Sequence, residues 1–396
     1  MKHAVVILDG AAGEPLADYN HKTSFERAFT PNLDALAQAG TIGLSLNVPA
    51  GMEPSSNVAC TSILGYDPAD YPIGRGALEL AALDAELADD EIALRVNLCH
   101  VSEAGLMASY STDNISTADG HALGKQLKQA LDDSQCTLYM GTGFRLYLVV
   151  KGRPGLMQTT MPAAHDITDQ LRADHLPVGP EAAFLIDYMA RAKEVLAASD
   201  VNLRRRQNGQ MTANEIMVFW PGQRPQGMEG FTQRYGISAG LCSGVDLLVG
   251  IAKLTGIKVH SFAGVTDGPD NDYAAQGRGA LEMLKEHDLV FIHIEAPDAE
   301  GHDGNAEGKR RAIESIDAEI IGRLKDWSEG PLRILALPDH PTPVASKRHS
   351  AKPVPFCLYG PGVPHNGGSR LTEAEAESTG LVVDPGWRLL GQLLGR

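Results

Sequence analysis

The chain has 396 residues, with 50 Asp and Glu against 34 Lys and Arg, a formal net charge of −16 with histidine neutral, 43% hydrophobic and 21% charged residues. That length suits two domains or one core with a large insertion, and the composition is globular rather than disordered. The acidic balance argues against a nucleic-acid partner, which needs clustered Lys and Arg. No apolar run reaches the ~20 residues of a membrane span, and the apolar part of the first nine residues is too short for a signal peptide. Five scattered cysteines (Cys60, Cys99, Cys136, Cys242, Cys357) form no CxxC pair, so they are expected as reduced thiols in a cytoplasmic protein without a membrane partner. Nothing in the pattern fixes an oligomeric state.

Apolar runs and helix-patterned stretches alternate along the chain. Residues 4–8 read as a buried strand ending at Asp9-Gly10, and 32–38 as a helix. The stretch 49–61, PAGMEPSSNVACT, begins with turn-forming residues and runs into an apolar helix, which puts Ser55 or Ser56 at an N-cap. From residue 89 the character changes. Strands are expected over 94–101 and 144–150, helices over 117–131 and 181–198, and a polar linker with Arg204, Arg205 and Arg206 over 199–210. These place an inserted α/β domain at 89–208, between core segments 1–88 and 209–396. Residues 215–220 then predict a further core strand and 277–286 a helix. A strand over 288–295 ends at Ala296-Pro297-Asp298, a helix covers 306–325, and a strand over 332–337 ends at Pro338-Asp339-His340. Near-continuous apolar strands separated by helices predict a largely parallel, buried sheet in an α/β fold.

In open α/β sheets ligands gather beyond the carboxyl ends of the strands. Asp9, Asp298 and Asp339-His340 are therefore expected on one edge. Asp298-x3-His302 brings two ligand types together, and His349 follows His340 by nine residues. Carboxylate with imidazole suits Zn²⁺ or Mn²⁺, and two such positions side by side form a clamp for phosphoryl chemistry. A serine hydroxyl at a helix N-terminus faces free backbone N–H groups, which favours a bound phosphate, and a nearby cation lowers the hydroxyl pKa. Arg75, Arg95, Arg145 and Arg278 are candidates for a substrate carboxylate or phosphate, because a planar guanidinium forks onto either group.

Taken together these residues resemble the alkaline phosphatase superfamily and, within it, the archaeal-type cofactor-independent (2,3-bisphosphoglycerate-independent) phosphoglycerate mutases. The resemblance runs nearly the whole length, through Asp9-Gly10, Thr30-Pro-Asn-Leu-Asp34, Leu64-Gly-Tyr-Asp-Pro68, Gly74-Arg-Gly76 with Glu79, Arg95-Val-Asn97, Ile115-Ser-Thr117, His293 to Asp298, Gly301-His302, Asp339-His340-Pro-Thr-Pro343 and His349-Ser350. It implies an alkaline-phosphatase-like core with a smaller inserted substrate-binding lid domain. It implies two divalent metal ions, manganese, zinc or magnesium, and no 2,3-bisphosphoglycerate. One metal would be held by Asp9, Ser56, Asp339 and His340, the other by Asp298, His302 and His349. Ser56 aligns with the phosphorylated serine of an isomerase that interconverts 3-phosphoglycerate and 2-phosphoglycerate in glycolysis. His165-Asp166 resembles a further substrate-binding motif.

The chain departs from the family pattern at Asn57, where Asp usually follows the nucleophile, at Ala108 in place of Asp, at Gln276 in place of Lys, and at Lys352 in place of Asp. An alternative stays open on these grounds: a phosphohydrolase or phosphotransferase of the same superfamily acting on another small phosphorylated metabolite. A catalytically silent binding protein that keeps the fold is a third possibility.

Overall fold

The computed structural model describes all 396 residues, as two compact units, 1–72 with 227–396 and 73–226. Thirteen strands follow in chain order: β1 (Lys2–Leu8), β2 (Thr41–Ser45), β3 (Glu91–Val101), β4 (Met107–Ser109), β5 (Cys136–Met140), β6 (Arg145–Lys151), β7 (Glu215–Gln223), β8 (Ala239–Cys242), β9 (Lys258–His260), β10 (Leu289–Ile294), β11 (Leu332–Leu337), β12 (Val354–Tyr359) and β13 (Val382–Val383).

The first unit is built on an eight-stranded sheet in the order β13-β2-β12-β11-β1-β10-β8-β9. The five strands from β11 to β9 run parallel, while β12 is antiparallel to both its neighbours. Residues 4–8 of β1 are fully buried, as expected of a central strand covered on both faces. The helices Pro31–Ala39, Tyr273–Glu286 and Ala306–Ile316 bury their apolar stripes in the same core, through Leu33, Leu36, Met283, Leu284, Ile313 and Ile316. Because β1 lies between β10 and β11 in parallel register, with Ile7 opposite both His293 and Leu337, the three chains leave the sheet on one edge. That edge carries Asp9, Glu295, Asp298, Asp339 and His340.

The second unit holds an antiparallel sheet, β4-β3-β6-β5, with β7 on the other side of β3. The helices Thr117–Leu131 and Ala182–Ala197 cover it through Leu123, Leu127, Leu185 and Ala192. Two sequence expectations are corrected here. Residues 215–220 do not join the parallel sheet but form part of β7, antiparallel to β3; a short apolar run does not reveal which sheet buries it. The supposed linker 199–210 contains the helix Asp200–Gln207, capped by the Ser199 hydroxyl, with Arg204 and Arg205 both paired to Asp119. The compact unit is also wider than 89–208. The helix Arg75–Ala81 packs on β3 and β7 at backbone distance: a Cβ on Gly76 would lie 2.5 Å from both Ala93 O and Trp220 O.

Candidate active site

Four buried or nearly buried carboxylates, from Asp9, Glu295, Asp298 and Asp339, meet four imidazoles at the parallel edge of the first unit. Asp9 is fully buried: its Oδ2 lies 2.7 Å from His293 Nε2, while its Oδ1 has no hydrogen-bond partner and lies 3.7 Å from His340 Nε2. Burial, then the negative neighbours Asp339 and Asp298, push the Asp9 carboxyl well above its ordinary range. Asp339 Oδ1 accepts from Gly10 N at 3.0 Å and from His340 N at 2.8 Å, and its Oδ2 lies 3.2 Å from His340 Nε2. Burial holds His340 in its neutral form. Ser56 begins the helix Ser56–Ile63 with Ser55 at the N-cap, and its Oγ stands 3.2 Å from the same His340 Nε2.

Which nitrogen carries the proton follows from the partners. His340 Nδ1 faces Thr342 Oγ1 at 3.3 Å, and that hydroxyl gives its own proton to Asp298 Oδ1, so Nδ1–H donates to the hydroxyl. His302 Nδ1 donates to Lys347 O at 3.0 Å, and His349 Nδ1 donates to Pro54 O at 3.2 Å. In the neutral rings all three Nε2 atoms are therefore bare lone pairs. His302 and His349 aim theirs at each other at 2.8 Å, with Asp298 oxygens at 3.2 and 3.5 Å. A second histidine pair, His260 and His287, also shows Nε2 to Nε2 at 2.8 Å. There neither Nδ1 is engaged, so one ring can donate to the other. In the site two neutral rings close that route, and opposed lone pairs beside carboxylates are the environment of a cation; Asp298 already favours positive charge there by pushing the His302 imidazole up. The groups Asp9–Asp339–His340 and Asp298–His340–His349 each bring three ligand atoms within 4.8 Å of one another, as does Asp9–His293–Glu295. The donor set of neutral imidazoles and carboxylates fits divalent metal ions.

The second unit collects arginines. Glu79 spends both oxygens on them: Oε1 accepts from Arg75 Nε at 2.7 Å and Oε2 pairs with Arg95. Burial opposes ionisation of Glu79, but Arg95 and Arg75 outweigh it and hold the carboxyl below its usual range. Arg95 is buried and donates to Asn97 Oδ1 at 2.9 Å, while Arg75 lies 4.0 Å above the Trp220 ring. Two guanidiniums on one carboxylate leave a positive charge for an anion. His165 joins this group at 5.4 Å from Trp220, with Asp166 3.5 Å away, and Arg145 lies 5.1 Å from the Phe144 ring that also faces Arg95. Arg278 stands exposed on the helix Tyr273–Glu286 of the first unit.

The family profile described as 2,3-bisphosphoglycerate-independent phosphoglycerate mutase matches residues 37–202. Over 402 residues the chain is 38% identical to a probable 2,3-bisphosphoglycerate-independent phosphoglycerate mutase of Geobacter sulfurreducens, with 100% of both chains covered. It is 41% identical over 365 residues to 2,3-bisphosphoglycerate-independent phosphoglycerate mutase 2 of Methanothermobacter thermautotrophicus, covering 92% of this chain and 90% of that one. The chain belongs to the 2,3-bisphosphoglycerate-independent phosphoglycerate mutase family. Membership makes it an isomerase that interconverts phosphoglycerates and implies the use of divalent metal ions. A solved structure of a Pyrococcus horikoshii protein superposes with a TM-score of 0.83 at 27% identity, over 100% of this chain and 96% of that one.

Several residues of this candidate site escape a motif reading. His293 and Glu295 flank Asp9, with Glu295 Oε2 buried and unpartnered; an imidazole interrupting an apolar strand is the available signal. Lys309 is buried in the core and donates to Gly10 O, Ala12 O and Thr342 O at 2.6, 3.1 and 2.7 Å. Its place on the stripe formed with Ala312, Ile313 and Ile316 marks it as a cation on a buried face. Burial pulls its ammonium down to about 8. Of the family departures, Gln276 is fully buried and donates to His293 O at 2.8 Å, Lys352 is exposed and pairs with Glu14, and Ala108 lies exposed on β4. Cys60 is no rival nucleophile: burial, then Asp339 and Asp9, push its thiol far up.

Proposed function

We propose that the chain converts 3-phosphoglycerate to 2-phosphoglycerate, and back, through a phosphoserine at Ser56, with two divalent ions (Mn²⁺, Zn²⁺ or Mg²⁺) held by Asp9, Ser56, Asp339 and His340, and by Asp298, His302 and His349. The carrying observation is the bare His340 Nε2, fixed in its tautomer, 3.2 Å from Ser56 Oγ and from Asp339 Oδ2. Divalent ions there would neutralise charge on the phosphoryl oxygens and favour the ionised serine. Ser56 Oγ forms the new bond to phosphorus as the bond to the glycerate 3-oxygen breaks, and the serine proton passes to that oxygen. The glycerate turns, its 2-hydroxyl oxygen bonds to phosphorus as the Ser56 Oγ–phosphorus bond breaks, and the proton of that 2-hydroxyl passes to Ser56 Oγ. The N-terminal N–H groups of the helix Ser56–Ile63 face the added charge.

Arg75 and Arg95, with Arg145, His165 and Asp166 around them, are the groups this reading offers to the anionic end of the substrate. No helix is long and apolar enough to cross a membrane, and all five cysteines are free and buried; both accord with a cytoplasmic enzyme. The test is ³¹P NMR of the metal-loaded protein with 3-phosphoglycerate. The 2-phosphoglycerate signal should appear without inorganic phosphate. Inorganic phosphate alone would replace the mutase by a hydrolase.

A further inference from the structure

Thr342 belongs to no ligand set, yet the site is built around it. It is fully buried. Its hydroxyl donates to Asp298 Oδ1 and accepts from His340 Nδ1, so one oxygen touches a residue of each proposed cation position. Its backbone is clamped as well: Thr342 N donates to Ala12 O at 3.1 Å, and Thr342 O accepts from Lys309 Nζ at 2.7 Å. Two glycines clear its space. A Cβ on Gly10, which has φ +58°, would lie 2.7 Å from Thr342 Oγ1 and would also strike the Asp298 carboxylate. A Cβ on Gly301 would lie 2.8 Å from Thr342 O and 2.9 Å from its methyl carbon.

A hydroxyl has one proton to give. Given to Asp298, it leaves Oγ1 as an acceptor, and His340 must then carry its proton on Nδ1. Turned towards His340 instead, the hydroxyl would favour the other tautomer, with Nε2 protonated and unable to bind a cation. The hydrogen bond to Asp298 thus sets the ligand character of His340, 42 positions away in sequence (340 − 298). We propose that Thr342 is a positioning residue shared by the two cation positions: by donating to Asp298 it holds His340 in the tautomer whose Nε2 can take a cation.

The proposal rests on the two-cation reading above and is tested by calorimetric titration of the metal-free protein with Mn²⁺ alone, which needs no turnover. The wild type should take up two ions. Thr342→Val, which keeps the shape and removes the hydroxyl, should weaken one of the two binding events about tenfold, the scale typical of an outer hydrogen-bonding partner. Thr342→Ser, which keeps the hydroxyl and removes a methyl, should restore wild-type affinity. A merely structural threonine predicts the reverse order, with Val closer to wild type than Ser and the change read mainly in the melting temperature of the metal-free protein. Wild-type behaviour of Thr342→Val, or equal weakening in Val and Ser, overturns the positioning role while leaving two ions in place. Fewer than two ions in the wild type overturns the two-cation reading itself.

Discussion

In the first unit the buried ionisable groups are carboxylates and imidazoles set beyond three adjacent parallel strands. In the second the candidate cluster is a pair of arginines, the buried Arg95 and the half-exposed Arg75, sharing the carboxylate of Glu79 on a helix packed against an antiparallel sheet. The second unit largely balances itself: Glu79 gives one oxygen to each of Arg75 and Arg95, and its carboxyl is held low. The first does not. Asp9 and Glu295 are both pushed up by burial, and each keeps a buried oxygen without a partner. The one ammonium at their base, Lys309, spends its three hydrogens on backbone carbonyls rather than on any carboxylate. A cluster that its own chain leaves unbalanced waits for ions, whereas a cluster with one cation in excess waits for an anion.

The sharpest way to break this contrast is Ser56→Ala. Removing the proposed nucleophile should lower kcat by roughly 10⁴-fold or more, with no phosphoenzyme in a quench assay and metal content close to wild type. Full turnover would remove Ser56 from the chemistry. Next, Arg95→Met in the second unit should weaken substrate binding. A lost charge-assisted fork is worth about 2–3 kcal/mol, roughly 30- to 150-fold, and steady-state kinetics should show it chiefly in KM, with the Mn²⁺ isotherm unmoved. A shift in the isotherm instead would erase the division of labour.

Smaller effects fall on stability. Lys309→Met strips three buried carbonyls of their donor and should cost about 3 kcal/mol, at ~1 kcal/mol for each bond, measured by urea unfolding. Glu79→Gln addresses the second unit through pH. A carboxyl depressed in the folded state stabilises above its unfolded value of 4.5 and loses that contribution as pH falls through the folded value. Wild-type unfolding should therefore steepen below about pH 4.5, and Glu79→Gln should lack that component. Equal acid profiles would mean that Glu79 is not what holds the arginines.

Much of the first unit was readable because parallel strands buried on both faces print as apolar runs, and the residues just after them print as polar ends. Asp9, Asp298, Asp339 and His340 were found by that rule alone. His302 and His349 were found as imidazoles near those ends, and the assignment of ligands to two ions came from family resemblance. What stayed hidden depends on partners brought from afar. Residues 215–220 have the composition of a core strand, and only pairing with β3 decides otherwise. Thr342 looks like any buried threonine until Asp298 and His340 are seen to share its hydroxyl. Lys309 was the exception that pattern could have caught, since a charge stood on an apolar helical stripe.

The placement of β1 also has a consequence for synthesis. It is the second residue to the eighth of the chain, yet it hydrogen-bonds only to β10 and β11, which begin at residues 289 and 332. At typical elongation rates of about 5–20 residues per second, the central strand emerges roughly a quarter of a minute to a minute before its first neighbour. During that interval the whole of 73–226 is translated and has its own core to fold around. The residues of the arginine cluster are therefore all made before the edge that carries Asp9, Asp298, Asp339 and His340 can close, which waits for the last third of the chain.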